Sequence, residues 1–168
     1  MKKLIVLFVL LLLVEHGYPA TLYTTVNGGG DKSGSSWGNA MDWPAFEIWM
    51  GTTCAPGDIN YVSTGTYTLT AAINTPRDGT ASAYITIFGC SDQNVPPAAG
   101  TGVDRPLFSQ GAYIINGDDY WICKNIISSG TVTALLKFDA YAYVSNCLIF
   151  NYSSTASRTA FSSVGIHT

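Results

Sequence analysis

The chain has 168 residues, of which only 11% are charged, and its net charge at neutral pH is −3. This length suffices for one domain with a hydrophobic core. The basic residues are few and scattered, which excludes a nucleic-acid partner, because phosphate binding needs a cluster of Lys and Arg. Abundant Gly, Ser and Thr with few charges favour many short strands joined by turns.

The N-terminus has the pattern of a secretory signal peptide. Two lysines precede an apolar run at 4–14, which is too short to span a bilayer comfortably. Cleavage after Ala20 would leave the bulky Tyr18 where a small residue is preferred, and a short membrane anchor is the alternative. The sequence predicts a leader at 1–20, one domain at 21–168, and a secreted, extracellular or periplasmic protein that has no membrane partner once the leader is removed.

The first elements after the leader are a strand, a loop and a helix. Residues 22–26 predict the strand, and the Gly- and Ser-rich residues that follow predict the loop. The segment Trp43–Met50 predicts a short helix, since Pro44 suits the first helical position and Gly51 can end it. This helix has a large apolar surface. The open end of a β-solenoid, with its exposed core and unpaired backbone groups, is the kind of surface it could cover.

The rest of the chain consists of short strand-forming segments separated by turns. Residues 59–62 and 66–70 are separated by a sharp corner at Gly65, as successive faces of a coil would be. Residues 84–89 alternate with a period of two, which indicates another strand. The Pro- and Gly-containing residues 91–110 predict one long excursion. No segment beyond the predicted helix carries a helical period.

Two later segments repeat each other after a shift of 21 residues. The segment Tyr120–Ile127 then aligns with Tyr141–Leu148, so that tyrosine falls on tyrosine and Asn125 falls on Asn146. A recurrence of 20 to 50 residues is typical of solenoids, because each turn of the coil repeats the same environment. The two segments therefore predict consecutive rungs of a coil.

These motifs together resemble the N-terminal part of a right-handed parallel β-helix of the pectin-lyase-like superfamily, with an N-terminal capping helix. The resemblance covers residues 21–168 and rests on an N-terminal motif, a first-coil motif and a rung motif. They read Tyr23…Asn27-Gly28…Asp31…Gly34…Ser36-Trp37…Ala40, Pro56-Gly57-Asp58-Ile59-Asn60-Tyr61-Val62…Gly65-Thr66-Tyr67, and Tyr84-Ile85-Thr86-Ile87…Gly89 with Lys124-Asn125-Ile126 and Ser145-Asn146-Cys147. The resemblance implies an all-β fold, a parallel β-helix, in which Asn125 and Asn146 stack as a ladder at a bend. Calcium is implied by the resemblance alone, and the sequence indicates no other cofactor.

Physical chemistry supports a structural role for the asparagine pair. Adjacent rungs lie about 4.8 Å apart, so equivalent side chains stack directly. A carboxamide can donate to one neighbour and accept from the other, which satisfies a buried column of asparagines. Asn125 and Asn146 are therefore predicted to be structural.

In an exported protein, four cysteines could form disulfide bonds. After the 21-residue shift, Cys123 and Cys147 are displaced by three residues along the strand, which is too far for a bridge. We interpret both as small core residues, with a disulfide as the alternative. Metal binding is not expected, since there is no C-x-x-C motif and only His167 remains after the leader.

No set of residues reaches a catalytic constellation, so the catalytic residues stay unassigned. Asp118 and Asp119 could bind calcium or act as acid and base, although their Asn-Gly-Asp-Asp context is a turn signature. Trp121 and Tyr143 could stack on sugar rings, or pack within the coil as good strand formers. Further candidates, each with a plain structural alternative, are Lys124, Lys137, Asp104, Arg105, Tyr141 and Tyr152.

Two classes of function follow. The first is an exported, carbohydrate-associated β-helix that binds a polysaccharide or, with later rungs, acts as a polysaccharide lyase or glycoside hydrolase. The alternative is a non-enzymatic surface, adhesin-like or stalk module, or a phage tail-spike-like fragment. Because the segment 165–168 would stop in mid-rung without a cap, the sequence predicts a domain that is incomplete at its C-terminal end.

Overall fold

A computed structural model describes residues 18–69, 77–94, 96–102, 104–110, 115–116, 119–130, 136–138, 141–150 and 161–163. The predicted leader up to residue 17, together with Asp118, Tyr152 and the last five residues, lies outside the described residues. None of the described helices is long and apolar enough to cross a membrane.

The described chain forms twelve strands and one short α-helix, α1, at Trp43–Ile48. The strands are β1 Thr21–Thr24, β2 Ile59–Ser63, β3 Gly65–Leu69, β4 Ile85–Cys90, β5 Pro106–Gln110, β6 Ile115–Asn116, β7 Trp121–Lys124, β8 Ile127–Gly130, β9 Leu136–Phe138, β10 Tyr143–Ser145, β11 Leu148–Phe150 and β12 Phe161–Ser163. A 3-10 turn covers Trp37–Asn39, and a π-helical turn, Trp49–Thr53, continues α1.

The strands lie in three sheets, and every ladder between them is parallel. The first sheet has the order β1-β2-β4-β7-β10, the second β11-β8-β5-β3, and the third β12-β9-β6. From β2 onward, consecutive strands enter different sheets, and each strand pairs with its equivalent in the neighbouring turn of the coil. The predicted parallel β-helix is therefore confirmed. We call β2–β3 rung 1, β4–β6 rung 2, β7–β9 rung 3 and β10–β12 rung 4.

In the strands of the first sheet, side chains that face the core alternate with side chains that face outward. In β7, Trp121 and Cys123 are buried, whereas Ile122 and Lys124 are only partly covered. The same alternation in β2 and β4 buries Val62 and Ile87, because successive side chains of a strand point to opposite faces. The register along the chain thus decides which residues a ligand outside the coil can reach.

The predicted capping helix is present, and it closes the N-terminal end of the core. The Asp42 side chain accepts a hydrogen bond from the Ala45 N–H at 3.0 Å, and Pro44 occupies the first turn. The buried ring of Phe46 stacks on Trp49 and faces Phe108 of β5, with centroids 5.7 and 6.3 Å away. The helix thereby covers an aromatic cross-section of the coil.

Candidate functional site: the outer face of the first sheet

Asn125 and Asn146 lie at the corner between the first and second sheets, in adjacent rungs. The Nδ2 of Asn146 donates to the Oδ1 of Asn125 at 2.7 Å, and both residues have a left-handed backbone, with φ of 50° and 56°. Gly89 occupies the same column in rung 2, where an added Cβ would overlap the Asn125 carbonyl oxygen. The ladder therefore joins rungs 3 and 4 and does not continue into rung 2.

Of the two cysteines at this corner, Cys123 is buried and Cys147 is partly buried. Cys123 faces the core and pairs in register with Val144, while Cys147 follows the corner and points its Sγ toward the Cys123 carbonyl oxygen at 3.6 Å. None of the four cysteines is in a disulfide. Burial raises the pKa of both thiols, so they stay protonated and unreactive at neutral pH.

The prediction that Trp121 is a sugar contact is wrong. Its side chain is 0% exposed and meets the edge of Trp49 inside the coil, with centroids 6.5 Å apart. Trp121 has the same parity as Cys123 in β7, and that parity faces the core. An indole in this position fills the core beneath α1 and cannot touch a ligand outside the coil.

Tyr143 does lie on the outside. It is 50% exposed, and the Lys124 ammonium sits 5.3 Å from its ring centroid, within cation–π range. Asp119 ties its segment to the residues before β4: its backbone N–H donates to the Asp78 carboxylate at 2.8 Å, and its carbonyl oxygen accepts from the Gly79 N–H. Among the sugar-contact candidates that the structure describes, only Tyr143 presents its ring on the outer face of a sheet.

Sequence reasoning missed an aromatic column on the outer face of the first sheet. Tyr23 of β1, Tyr61 of β2 and Phe88 of β4 are in register, with ring centroids 5.7 and 5.6 Å apart. Trp37 extends the row, with its ring centroid 4.8 Å from that of Tyr23. We call these four residues the aromatic column. The strand spacings are 61 − 23 = 38 and 88 − 61 = 27 residues, so no fixed repeat reveals it.

The rings of the column are only partly covered by one another. Adjacent planes differ by 60° between Trp37 and Tyr23 and by 73° between Tyr61 and Phe88, so the column is no continuous face-to-face stack. All four side chains stay partly accessible. Desolvation, with smaller effects from neighbouring groups, raises the pKa of Tyr61, so its phenol is neutral at physiological pH.

Around the column, the outer face of this sheet is apolar and hydroxylated. A second outward row, parallel to the column, consists of Thr21, Ile59, Thr86, Ile122 and Tyr143. In the described strands of this sheet, Lys124 is the only charged outward side chain, and no carboxylate points outward. Within the described ranges, no three His, Cys, Asp or Glu side chains converge to hold a metal ion.

The connection between β4 and β5 flanks this face. Its Asn94 carbonyl oxygen accepts a hydrogen bond from the Trp37 indole at 2.9 Å. At its other end Arg105 is 8% exposed, and its Nη1 donates to the Asn146 carbonyl oxygen at 2.6 Å. Asp104 is exposed beside it. Arg105 thus anchors the connection to the asparagine corner and does not point outward to a ligand.

The fold is similar to that in a crystal structure of pectate lyase Pel9A, with a TM-score of 0.46 and 19% sequence identity. The match covers 76% of this chain and 35% of the lyase chain, so this chain corresponds to about a third of that protein. No protein-family model matches the sequence, and no curated protein matches it significantly.

Proposed function

We propose that this chain is the glycan-binding part of an exported β-helix protein, and that a polysaccharide lies along the outer face of its first sheet, parallel to the coil axis. The aromatic column carries this proposal. Three of its rings run along the axis, one on each of β1, β2 and β4, and Trp37 contacts the ring on β1, so an extended chain that follows the column would meet a ring at each of these strands.

Aromatic side chains suit such a ligand for a physical reason. A sugar ring has apolar CH faces and a polar rim, so it packs on aromatic rings while its hydroxyl groups stay hydrated or hydrogen-bonded. Tyr23 and Tyr61 have an apolar ring and a hydroxyl tip, the combination that is enriched where one end of a side chain is covered and the other is wet. A contiguous row of partly exposed rings also marks an interaction surface.

The charge pattern of this face favours binding over catalysis. Glycoside hydrolysis needs a pair of carboxyl groups flanking the scissile bond. The described strands of the first sheet present none outward, and their single outward cation, Lys124, is held against Tyr143. The described part of this face can therefore hold a glycan but lacks the acid–base pair that would cleave it.

The predicted export of the protein also supports the proposal. A glycan ligand of polymeric size is met outside the cytoplasm, and the pattern at 1–20 is that of a secretory leader. The low content of charged residues also fits a surface that contacts a mostly uncharged, hydroxyl-rich ligand.

The decisive experiment is affinity gel electrophoresis of the purified protein in gels containing xylan, galactomannan, mixed-linkage β-glucan or polygalacturonate. At least one polysaccharide should retard the wild type. The Tyr61→Ala variant should lose affinity for it by about tenfold, the effect of removing one interfacial aromatic side chain. Tyr61→Phe, which keeps the ring, should stay within about threefold of the wild type.

Tyr84→Ala is the matched control. Tyr84 precedes β4, lies outside the aromatic column and contacts Tyr120. Its removal should leave retardation unchanged. Absence of retardation in all four gels, or equal affinities of the Tyr61→Ala variant and the wild type, would overturn the proposal.

A further inference from the structure

The connection between β4 and β5 is a built structure with its own hydrogen bonds. We call its described residues, 91–94, 96–102 and 104–105, the strap. At its base the Ser91 N–H donates to the Ala98 carbonyl oxygen at 3.1 Å, and the Gly100 N–H donates to Gly89 of β4 at 3.0 Å. The strap is therefore fastened to the rung from which it leaves.

Asp92 organises the turn at the tip of the strap. Its Oδ1 accepts from the backbone N–H groups of Ala98 and Asn94, at 3.0 and 3.2 Å, and its Oδ2 accepts from the Asn94 side chain at 2.8 Å. These hydrogen bonds, that from Ala98 first, hold the pKa of the Asp92 carboxyl below its ordinary value. One carboxylate thus fixes both the backbone and the side chain of Asn94.

Asn94 in turn holds the indole that ends the aromatic column. Its carbonyl oxygen accepts from Nε1 of Trp37, and the Trp37 ring contacts Tyr23 on its other side. Trp37 begins a 3-10 turn that Ser36 caps, and these hydrogen bonds fix its backbone but not the side-chain torsions that aim the indole. The hydrogen bond to the strap restrains the direction of the ring.

The far end of the strap is anchored two turns of the coil away. Arg105 donates to the Asn146 carbonyl oxygen in rung 4, and the Asn146 amide donates to the Gly100 carbonyl oxygen at 3.2 Å. A buried arginine bonded to fixed acceptors is costly to displace. The strap therefore links the Trp37 end of the column to the asparagine corner as one braced element.

We propose that Asp92 is a positioning residue for ligand binding: through Asn94 it holds the Trp37 indole in line with Tyr23, and so sets how many rings the bound glycan contacts. This rests on the proposed function of the outer face. Asp92 itself touches no ligand. Any effect of Asp92 on affinity must be transmitted through Trp37. The role of Asp92 can therefore be tested separately from the proposed glycan binding.

The test combines Asp92→Ala with Trp37→Ala in a double-mutant cycle, measured by electrophoresis against whichever polysaccharide retards the wild type. Asp92→Ala alone should weaken affinity about fivefold, and Trp37→Ala about tenfold. In the Trp37→Ala background, Asp92→Ala should have no further effect, since the ring that it positions is gone. An equal fivefold loss in both backgrounds would overturn the inference.

Two matched variants sharpen the cycle. Asp92→Asn keeps an Oδ1 acceptor for the two backbone N–H groups, so its loss should be smaller than that of Asp92→Ala. Asp104→Ala removes a charge from the same strap without touching the turn, so it should bind as the wild type does. If Asp104→Ala weakens binding as much as Asp92→Ala, the effect is one of charge and the inference fails.

A second readout needs no ligand. Three of the four tryptophans, Trp43, Trp49 and Trp121, are buried, so acrylamide should quench chiefly the fluorescence of Trp37. Asp92→Ala should raise the quenching constant, and Trp37→Phe should remove the quenchable fraction. If no polysaccharide binds, the proposed function fails while this measurement still tests the strap. Unchanged quenching in Asp92→Ala would overturn the inference even where glycan binding stands.

Discussion

The two ends of the described coil differ in what covers their apolar side chains. At the N-terminal end α1 packs Phe46 and Trp43 onto the core, and Phe46 is 0% exposed. In rung 4, by contrast, Leu148 is 47% exposed, whereas Ile127, its partner one rung earlier, is only 7% exposed. Leu148 and Ile127 belong to the outward row of the second sheet, which begins at the exposed Thr66 in rung 1, so the coverage of this row changes from rung to rung along the axis.

The largest effect is expected at the capped end. Phe46→Ala removes a fully buried ring that contacts Trp43, Trp49 and Phe108. It should lower the free energy of unfolding by about 3–5 kcal/mol, because a cavity remains where the ring stood. Urea titration followed by circular dichroism measures this as a shift of the midpoint.

The pair Ile127 and Leu148 provides the comparison in rungs 3 and 4. Ile127→Ala should cost about 2–5 kcal/mol, as for a buried aliphatic residue. Leu148→Ala should cost less than about 1 kcal/mol, since half of that side chain already faces solvent. If the two variants were equally destabilised, Leu148 would be covered in solution and the contrast between the ends would disappear.

An intermediate effect is expected at the asparagine ladder. Asn125→Ala removes the acceptor of the Asn146 amide and also places alanine at φ 56°. Loss of the hydrogen bond should cost about 1–3 kcal/mol, and the left-handed backbone should add about 1–2 kcal/mol. Both are read from urea midpoints.

Asn125→Gly separates the two contributions. Glycine adopts the left-handed backbone without penalty, so this variant should lose only the contribution of the hydrogen bond. The expected order of stability is wild type, then Asn125→Gly, then Asn125→Ala. A Gly variant as stable as the wild type would mean that the ladder contributes nothing to the joining of rungs 3 and 4.

The sequence predicted best where the coil is regular. The first two strands of rungs 3 and 4 are both offset by 21 residues, so the 21-residue shift aligned Tyr120 with Tyr141 correctly, and their rings stack 4.8 Å apart with an interplanar angle of 1°. A fixed spacing between equivalent residues needs turns of constant length. Prediction of the capping helix succeeded for a local reason, since Pro44 and its apolar neighbours act within one short segment.

Prediction failed where the turns of the coil differ in length. The strap separates β4 from β5 by fifteen residues, so β4 and β7 are 121 − 85 = 36 residues apart and the 21-residue shift cannot align them. The aromatic column spans two turns of unequal length and was not predicted. The sequence left open whether Trp121 contacts a sugar or packs within the coil, because a strand of four residues shows its parity only once its register with β4 is known.

The smallest effect is expected at Asp42, which fixes the start of α1. Its Oδ1 caps the helix through the Ala45 N–H, and its Oδ2 accepts from Lys32 at 2.6 Å. Asp42→Ala should cost about 1 kcal/mol, the usual effect of losing an N-cap. Asp42→Asn should cost less, since asparagine caps helices almost as well, and what it loses is the ion pair with Lys32.

The pH dependence of stability tests whether the ion pair of Asp42 and Lys32 stabilises the capped end of the coil. The hydrogen bond from Lys32, followed by that from the Ala45 N–H, holds the pKa of Asp42 below its ordinary value. A carboxyl group with a lower pKa in the folded state stabilises the fold above its unfolded pKa, about 3.9, and this stabilisation is lost as the pH falls through the folded pKa. The wild type should exceed Asp42→Asn in urea midpoint at pH 7, and the difference should narrow as the pH falls below about 4. Midpoints that fall in parallel over this range would show that the cap end draws no stability from the charge of Asp42.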